Sequence, residues 1–352
     1  MNLTNINKIL SIHHMLAMGE VVLLSAAFNV IKENLPDSSI TVIAGKYASQ
    51  FLKSVPNVDR VLPIERFGIF LTKVSRLKRL LYKPLISPLI ASFVKRNAFD
   101  CVFIRNDERL PYTTQIRHGV KNGLSGELIF LKPLLEKYMS SQRHVVEGYF
   151  DILRGLGFTI NNTTTPKLLI SAEATKKAKE FIKGQKIVGI CPTSNLKIKG
   201  WDAKNTAKLC DTLSQNYAVL IFSTDKTYVQ LVSSFTKSKP TIIGYMDFDV
   251  LVALIAECSL FISVDTGPMH VAAAVGVPTV GLFGPTSGVM FGPLGANSTV
   301  IQKNKICSYY NPDNFFSSFQ PCYLQDNCLL RGTTCVDLIT VDDVLEKITL
   351  LS

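Results

Sequence analysis

Residues Phe261 to Ser287 read FISVDTGPMHVAAAVGVPTVGLFGPTS. The apolar run Leu260 to Val264 has the length and composition of a buried strand, and Asp265, Thr266 and Gly267 form a turn after it. A helix over about Met269 to Val275 follows, then a second apolar strand, Thr279 to Phe283. Strand, helix and strand at this spacing pair in parallel through a crossover, which makes the fold α/β. Pro268 suits the first helical position because it has no N–H to leave unpaired, and Thr266 can cap. The free N–H groups and positive end of such a helix attract anions. His270 on the first turn can donate to a phosphate or ribose oxygen, and Gly267 lets a ligand approach the backbone. The same residues also suit an ordinary capped helix carrying a core histidine.

Working outward, the alternation continues on both sides. Lys186 to Cys191 reads as a strand, Ala203 to Leu213 as a helix and Ala218 to Phe222 as a strand. Ile242 and Ile243 open another strand, ahead of a helix near Val250 to Cys258. A second series fills the first half. Strands are expected at Asn7 to Ile12, Ile40 to Gly45, Asp59 to Ile64 and Cys101 to Arg105, with helices in VVLLSAAFNVIKENLP and YASQFLKSVP. Gly148 to Leu156 is helical, and the polar stretch TINNTTTP, Thr159 to Pro166, reads as a linker. The expected division is therefore 1–164 and 165–352, two Rossmann-like domains with mostly parallel sheets. Ligands in such pairs lie at the carboxyl ends of the strands, in a cleft between the domains.

At 352 residues the chain is long enough for two domains, and 47% apolar residues suffice for two cores. No run of eighteen apolar residues is present, and the N-terminus lacks a signal-peptide pattern, so a cytoplasmic protein is expected. The net charge is +11. Between Arg66 and Phe99 lie Arg66, Lys73, Arg76, Lys78, Arg79, Lys83, Lys95 and Arg96, with no acid among them. This segment suits either a surface for anionic lipid and phosphorylated ligands or a solvated helix face with an apolar core side. Nucleic-acid binding is disfavoured because no binding motif accompanies the charge. A nicotinamide enzyme is disfavoured too, since no Gly-x-Gly-x-x-Gly follows the first strand. Cys101, Cys191, Cys210 and Cys258 sit in apolar runs and read as core. Cys307, Cys322, Cys328 and Cys335 cluster near the end without a C-x2-C pair, and read either as free thiols or as a zinc or iron site.

The string SVDTGPMHVAAAVGVPTVGLFGPT resembles the signature of the bacterial heptosyltransferases, the ninth family of glycosyltransferases, whose members have the GT-B fold. CPTSNLKIKGW, Cys191 to Trp201, is similar to that family's hydroxyl pair followed by Lys-x-Trp. The likeness implies that Thr193 and Ser194 hold diphosphate oxygens and that Lys199 neutralises the leaving nucleotide, with Lys197 a competitor for that role. It places Asp225 and Met246 beside the nucleoside, and Asp265, Thr266, Gly267 and His270 around the donor. Asp247-Phe248-Asp249 has the form of a metal-gripping Asp-x-Asp, but acids also favour a helix start.

The first half follows the family's layout through Pro-Asn-Val-Asp, and Arg143 to Phe158 resembles its interdomain helix. Relatives place an Asp general base after the glycine of the first turn. Here Glu20 follows Gly19, one methylene longer, and His13 and His14 stand where a basic residue is usual. Glu20 is therefore either a base in a readjusted site or simply an acid at a helix start. The resemblance implies inverting transfer of a heptose from an ADP-sugar donor to a phosphorylated inner-core lipopolysaccharide acceptor at the inner membrane surface, with no metal or redox cofactor. Another sugar, a protein acceptor or a non-catalytic nucleotide-sugar binder are the alternatives.

Overall fold

The computed structural model describes residues 3–13, 16–67, 76–105, 113–131, 134, 143–161, 164–182, 186–303, 307–308, 321–329 and 334–351. The chain divides into two compact units, Met1–Met139 with Val146–Thr164 and Ser140–Val145 with Thr165–Ser352.

The first unit holds a five-stranded sheet in the order β3-β2-β1-β4-β5. The strands are β1 Lys8–His13, β2 Ser39–Ala44, β3 Arg60–Pro63, β4 Cys101–Arg105 and β5 Glu127–Phe130, and every neighbouring pair is parallel. The central strands β1 and β2 are buried at every position but the first. Helices on both faces of a sheet leave no wet side, so such strands are continuous apolar runs rather than alternating ones. The helix Met18–Asn34 is almost wholly buried, from Val21 through Ile31. Its last residue, Asn34, fixes the start of the polar stretch that was read as a linker. The Asn34 amide donates to the Thr159 carbonyl and accepts from the Thr159 N–H, both at 2.8 Å.

The second unit holds a six-stranded sheet in the order β11-β10-β9-β6-β7-β8. Its strands are β6 Ile187–Cys191, β7 Ala218–Phe222, β8 Thr241–Ile243, β9 Leu260–Val264, β10 Thr279–Phe283 and β11 Ser298–Gln302, again all parallel. β6, β9 and β10 are buried at every residue. Gly189 in β6 is needed for this packing, since a Cβ there would meet Phe261 ring carbons at 2.5 and 2.6 Å. The helix Gly267–Ala274 ends in a Schellman turn: Gly276, with φ +83°, donates to Ala273 and Val277 donates to Ala272.

The basic segment is largely one helix, Arg76–Asn97, running through Pro84 and Pro88. Ile86, Ile90, Phe93 and Val94 bury one side of it in the core, while Leu85 and Leu89 are 50% and 43% exposed on the other. Lys73 lies outside the described residues. Among those residues no helix is long and apolar enough to cross a membrane.

Candidate functional site

Both sheets have a point where the strand order reverses, and ligands of open α/β sheets bind beyond the carboxyl ends of the strands there. In the second unit this point lies between β6 and β9. Because the strands are parallel, the segments after β9, β6, β7 and β8 emerge along one edge. Asp265, Thr193, Asp225 and Met246 follow these four strands in turn.

After β6 the chain forms a tight turn, Lys197–Lys199, in 3-10 geometry. Trp201 anchors it from below, 1% exposed, with its backbone N–H on the Pro192 carbonyl at 2.9 Å and its indole N–H on the Ile339 carbonyl at 2.8 Å. The Ile198 N–H donates to the Asp326 carboxylate at 2.9 Å. This clamp separates the two lysines. Lys197 is exposed, whereas the Lys199 ammonium reaches Asp265 Oδ2 at 3.1 Å, each side chain only 13% exposed. The same oxygen accepts the Thr286 hydroxyl at 2.7 Å.

Beside this pair, the helix Gly267–Ala274 begins. Thr266 holds the N-cap position, but its hydroxyl makes no cap hydrogen bond, and Pro268 is the second helical residue rather than the first. Both details correct the expected cap: the extended backbone at Thr266 leaves its hydroxyl off the helix N–H groups. His270 is 6% exposed, and its Nδ1 is buried without a hydrogen-bond partner among the described residues. Burial drives its pKa down to about 4; Asp265 opposes the shift and Lys199 adds to it. The imidazole is thus neutral at pH 7 and can both donate and accept. His144 is a neighbour, held near 4 by burial and by His270, with Nε2 3.0 Å from the Gly292 carbonyl oxygen.

Thr193 and Ser223 share a hydrogen bond of 2.9 Å between hydroxyls, and Ser223 Oγ also accepts the Asp225 N–H at 3.2 Å. Ser194 Oγ takes a long bond, 3.4 Å, from the Leu196 N–H. Asp225 caps the helix Lys226–Phe235 through the Tyr228 N–H at 3.0 Å. Met246 is half-buried on the loop after β8. Asp247 is the N-cap residue of the helix Phe248–Ala256, and Asp249 lies in its first turn.

In the first unit the reversal lies between β1 and β4. Glu20 stands in the first turn of the helix that follows β1. Its Oε2 accepts the Ala17 N–H at 2.8 Å, and its Oε1 meets the Arg105 guanidinium at 2.9 Å. His13 is buried at the end of β1, with Nε2 2.8 Å from Ser11 Oγ. His14 lies outside the described residues. Cys307, Cys322, Cys328 and Cys335 are free thiols. Burial, with the other three thiols, pushes Cys335 up to about 12. Among the described residues no three His, Cys, Asp or Glu side chains are arranged to hold a metal ion.

The family model for glycosyltransferase family 9 (heptosyltransferase) matches residues 109–311, more than half of the chain. The chain belongs to glycosyltransferase family 9. It is therefore a glycosyltransferase. Lipooligosaccharide heptosyltransferase 2 of Campylobacter jejuni is 25% identical over 340 residues, 94% of each chain. Among solved structures, a family 9 glycosyltransferase from Veillonella parvula aligns over 100% of this chain and 98% of its own, with TM-score 0.75 and 22% identity. The ADP-heptose lipopolysaccharide heptosyltransferase II of E. coli aligns over 98% of each, with TM-score 0.70 and 19% identity. These likenesses establish the GT-B fold. Within this family 9 chain the structure adds Arg105, Ser223, Thr286, His144 and Asp326 to the residues read from sequence. Ser223 and Thr286 each follow a legible strand and bear a hydroxyl, which was a usable signal. Arg105 and Asp326 meet their partners only through long-range packing.

Proposed function

We propose that the protein moves a heptose from an ADP-sugar to an inner-core lipopolysaccharide acceptor in a single inverting displacement. The observation that supports this best is the ammonium of Lys199 held 3.1 Å from Asp265, beside the His270 Nδ1 that has no partner among the described residues, at a helix start. A cation and the positive end of a helix at one place stabilise the charge that grows on a departing diphosphate. Thr193 and Ser194 would bind its oxygens, and Asp225 and Met246 would face the nucleoside. Asp265 acts by orienting Lys199, while Thr266 and Gly267 offer backbone to the phosphates.

In the first unit, Glu20 takes the proton of the acceptor hydroxyl. The hydroxyl oxygen bonds to the anomeric carbon as the bond to the diphosphate breaks, and the leaving oxygen keeps the electron pair. None of these roles calls for a metal or redox cofactor. The acceptor is phosphorylated and lipid-linked, so the reaction is placed at the cytoplasmic face of the inner membrane, with the Arg66–Arg96 segment toward the anionic surface.

Calorimetry with ADP, UDP and GDP tests the donor assignment. ADP should bind tightest, and tighter UDP binding would overturn the ADP-sugar reading. Lys199→Ala should lower turnover about a hundredfold or more. Glu20→Gln at undiminished turnover would remove Glu20 from the base role, and ADP binding without transfer to any acceptor would leave only a nucleotide-sugar binder.

A further inference from the structure

We infer that Arg105 is a positioning residue for Glu20, an inference that rests on Glu20 being the base. β1 and β4 are parallel neighbours with His13 opposite Arg105, so the last residue of β4 lies beside the turn that follows β1. From there the guanidinium reaches Glu20 Oε1 at 2.9 Å, while the Ala17 N–H holds Oε2 at 2.8 Å. A glutamate side chain has one more rotatable bond than an aspartate, and its carboxylate must be fixed if it is to meet a hydroxyl in one geometry. Here each oxygen is held by a donor of different origin, one from the helix cap and one from a neighbouring strand. Each keeps a lone pair for a further hydrogen bond.

Stability is a poor explanation for the pair. Its side chains are 30% and 41% exposed, and ion pairs with that much solvent contribute little to folding. Two elements thus converge on one carboxylate at the reversal point of the sheet.

The test assays Arg105→Gln, Arg105→Lys, Glu20→Gln and the double variant Arg105→Gln/Glu20→Gln with ADP-heptose and a lipopolysaccharide core acceptor, with melting temperatures alongside. Arg105→Gln should lower kcat about ten- to a hundredfold at unchanged KM for both substrates. Lysine should recover much of that loss, and the double variant should be no slower than Glu20→Gln alone. The inference fails if Arg105→Gln keeps wild-type kcat, if it raises only the acceptor KM, or if lysine does no better than glutamine. Undiminished turnover in Glu20→Gln would instead sink the base assignment itself, so the two failures are distinct.

Discussion

Asp265 gathers an ammonium, a hydroxyl and an imidazole within one small volume, and each neighbour changes what the others do. The two histidines there carry a pH signature. His270 and His144 are each lowered from 6.5 to about 4 in the fold. Between those values the unfolded chain binds more protons than the folded one, so stability rises with pH up to about 6.5 and falls as acid is added. Each histidine contributes a slope of up to about 1.4 kcal/mol per pH unit across that window. Thermal unfolding followed from pH 7 to pH 4.5 should show the drop, and His144→Asn should flatten it. An unchanged profile in that variant would show that His144 does not titrate in this way. At this scale the sequence was informative about residue type and silent about partners. The family likeness singled out Lys199 with Lys197 as a competitor, and in the fold it is Lys199 that reaches Asp265. The cation beside Glu20 comes from β4, 85 residues away, where no local pattern could announce it.

Elements were legible where packing left no choice of pattern. Leu260 to Val264, Thr279 to Phe283 and Ala218 to Phe222 were expected as strands and are strands, because a doubly covered parallel strand is an unbroken apolar run. β5 and β11 were missed. Both are edge strands with only one buried residue each. The Arg66–Phe99 segment was read either as a surface for anionic lipid and phosphorylated ligands or as a solvated helix face with an apolar core side, and its residues Arg76–Asn97 form a helix with one side in the core. The Lys197–Lys199 turn depends on an element far along the chain, through the indole bond to Ile339. Trp201→Phe should leave that buried carbonyl unpaired and cost about 1–3 kcal/mol, measurable by denaturant unfolding. ADP affinity should fall with it, because Lys199 loses its footing. Unaltered ADP binding in a destabilised variant would separate the anchor from the site.

The molecule as a whole carries a formal charge of +11, and its most basic acid-free stretch overlaps a helix whose exposed side bears Leu85 and Leu89. Sedimentation with vesicles should therefore show binding to anionic bilayers and little to zwitterionic ones, weakening as salt rises beyond about 0.15 M. Leu85→Ser with Leu89→Ser should weaken it further, and equal binding to both lipid types would rule out the surface proposed here. The order in which the chain visits its two units has a practical consequence. Ser140–Val145 belong with the second unit although Val146–Thr164 return to the first. A half-molecule cut at Thr165 would leave behind the imidazole that meets the Gly292 carbonyl. Deletion mapping at that boundary would then report the loss of a keystone as though it were a missing domain.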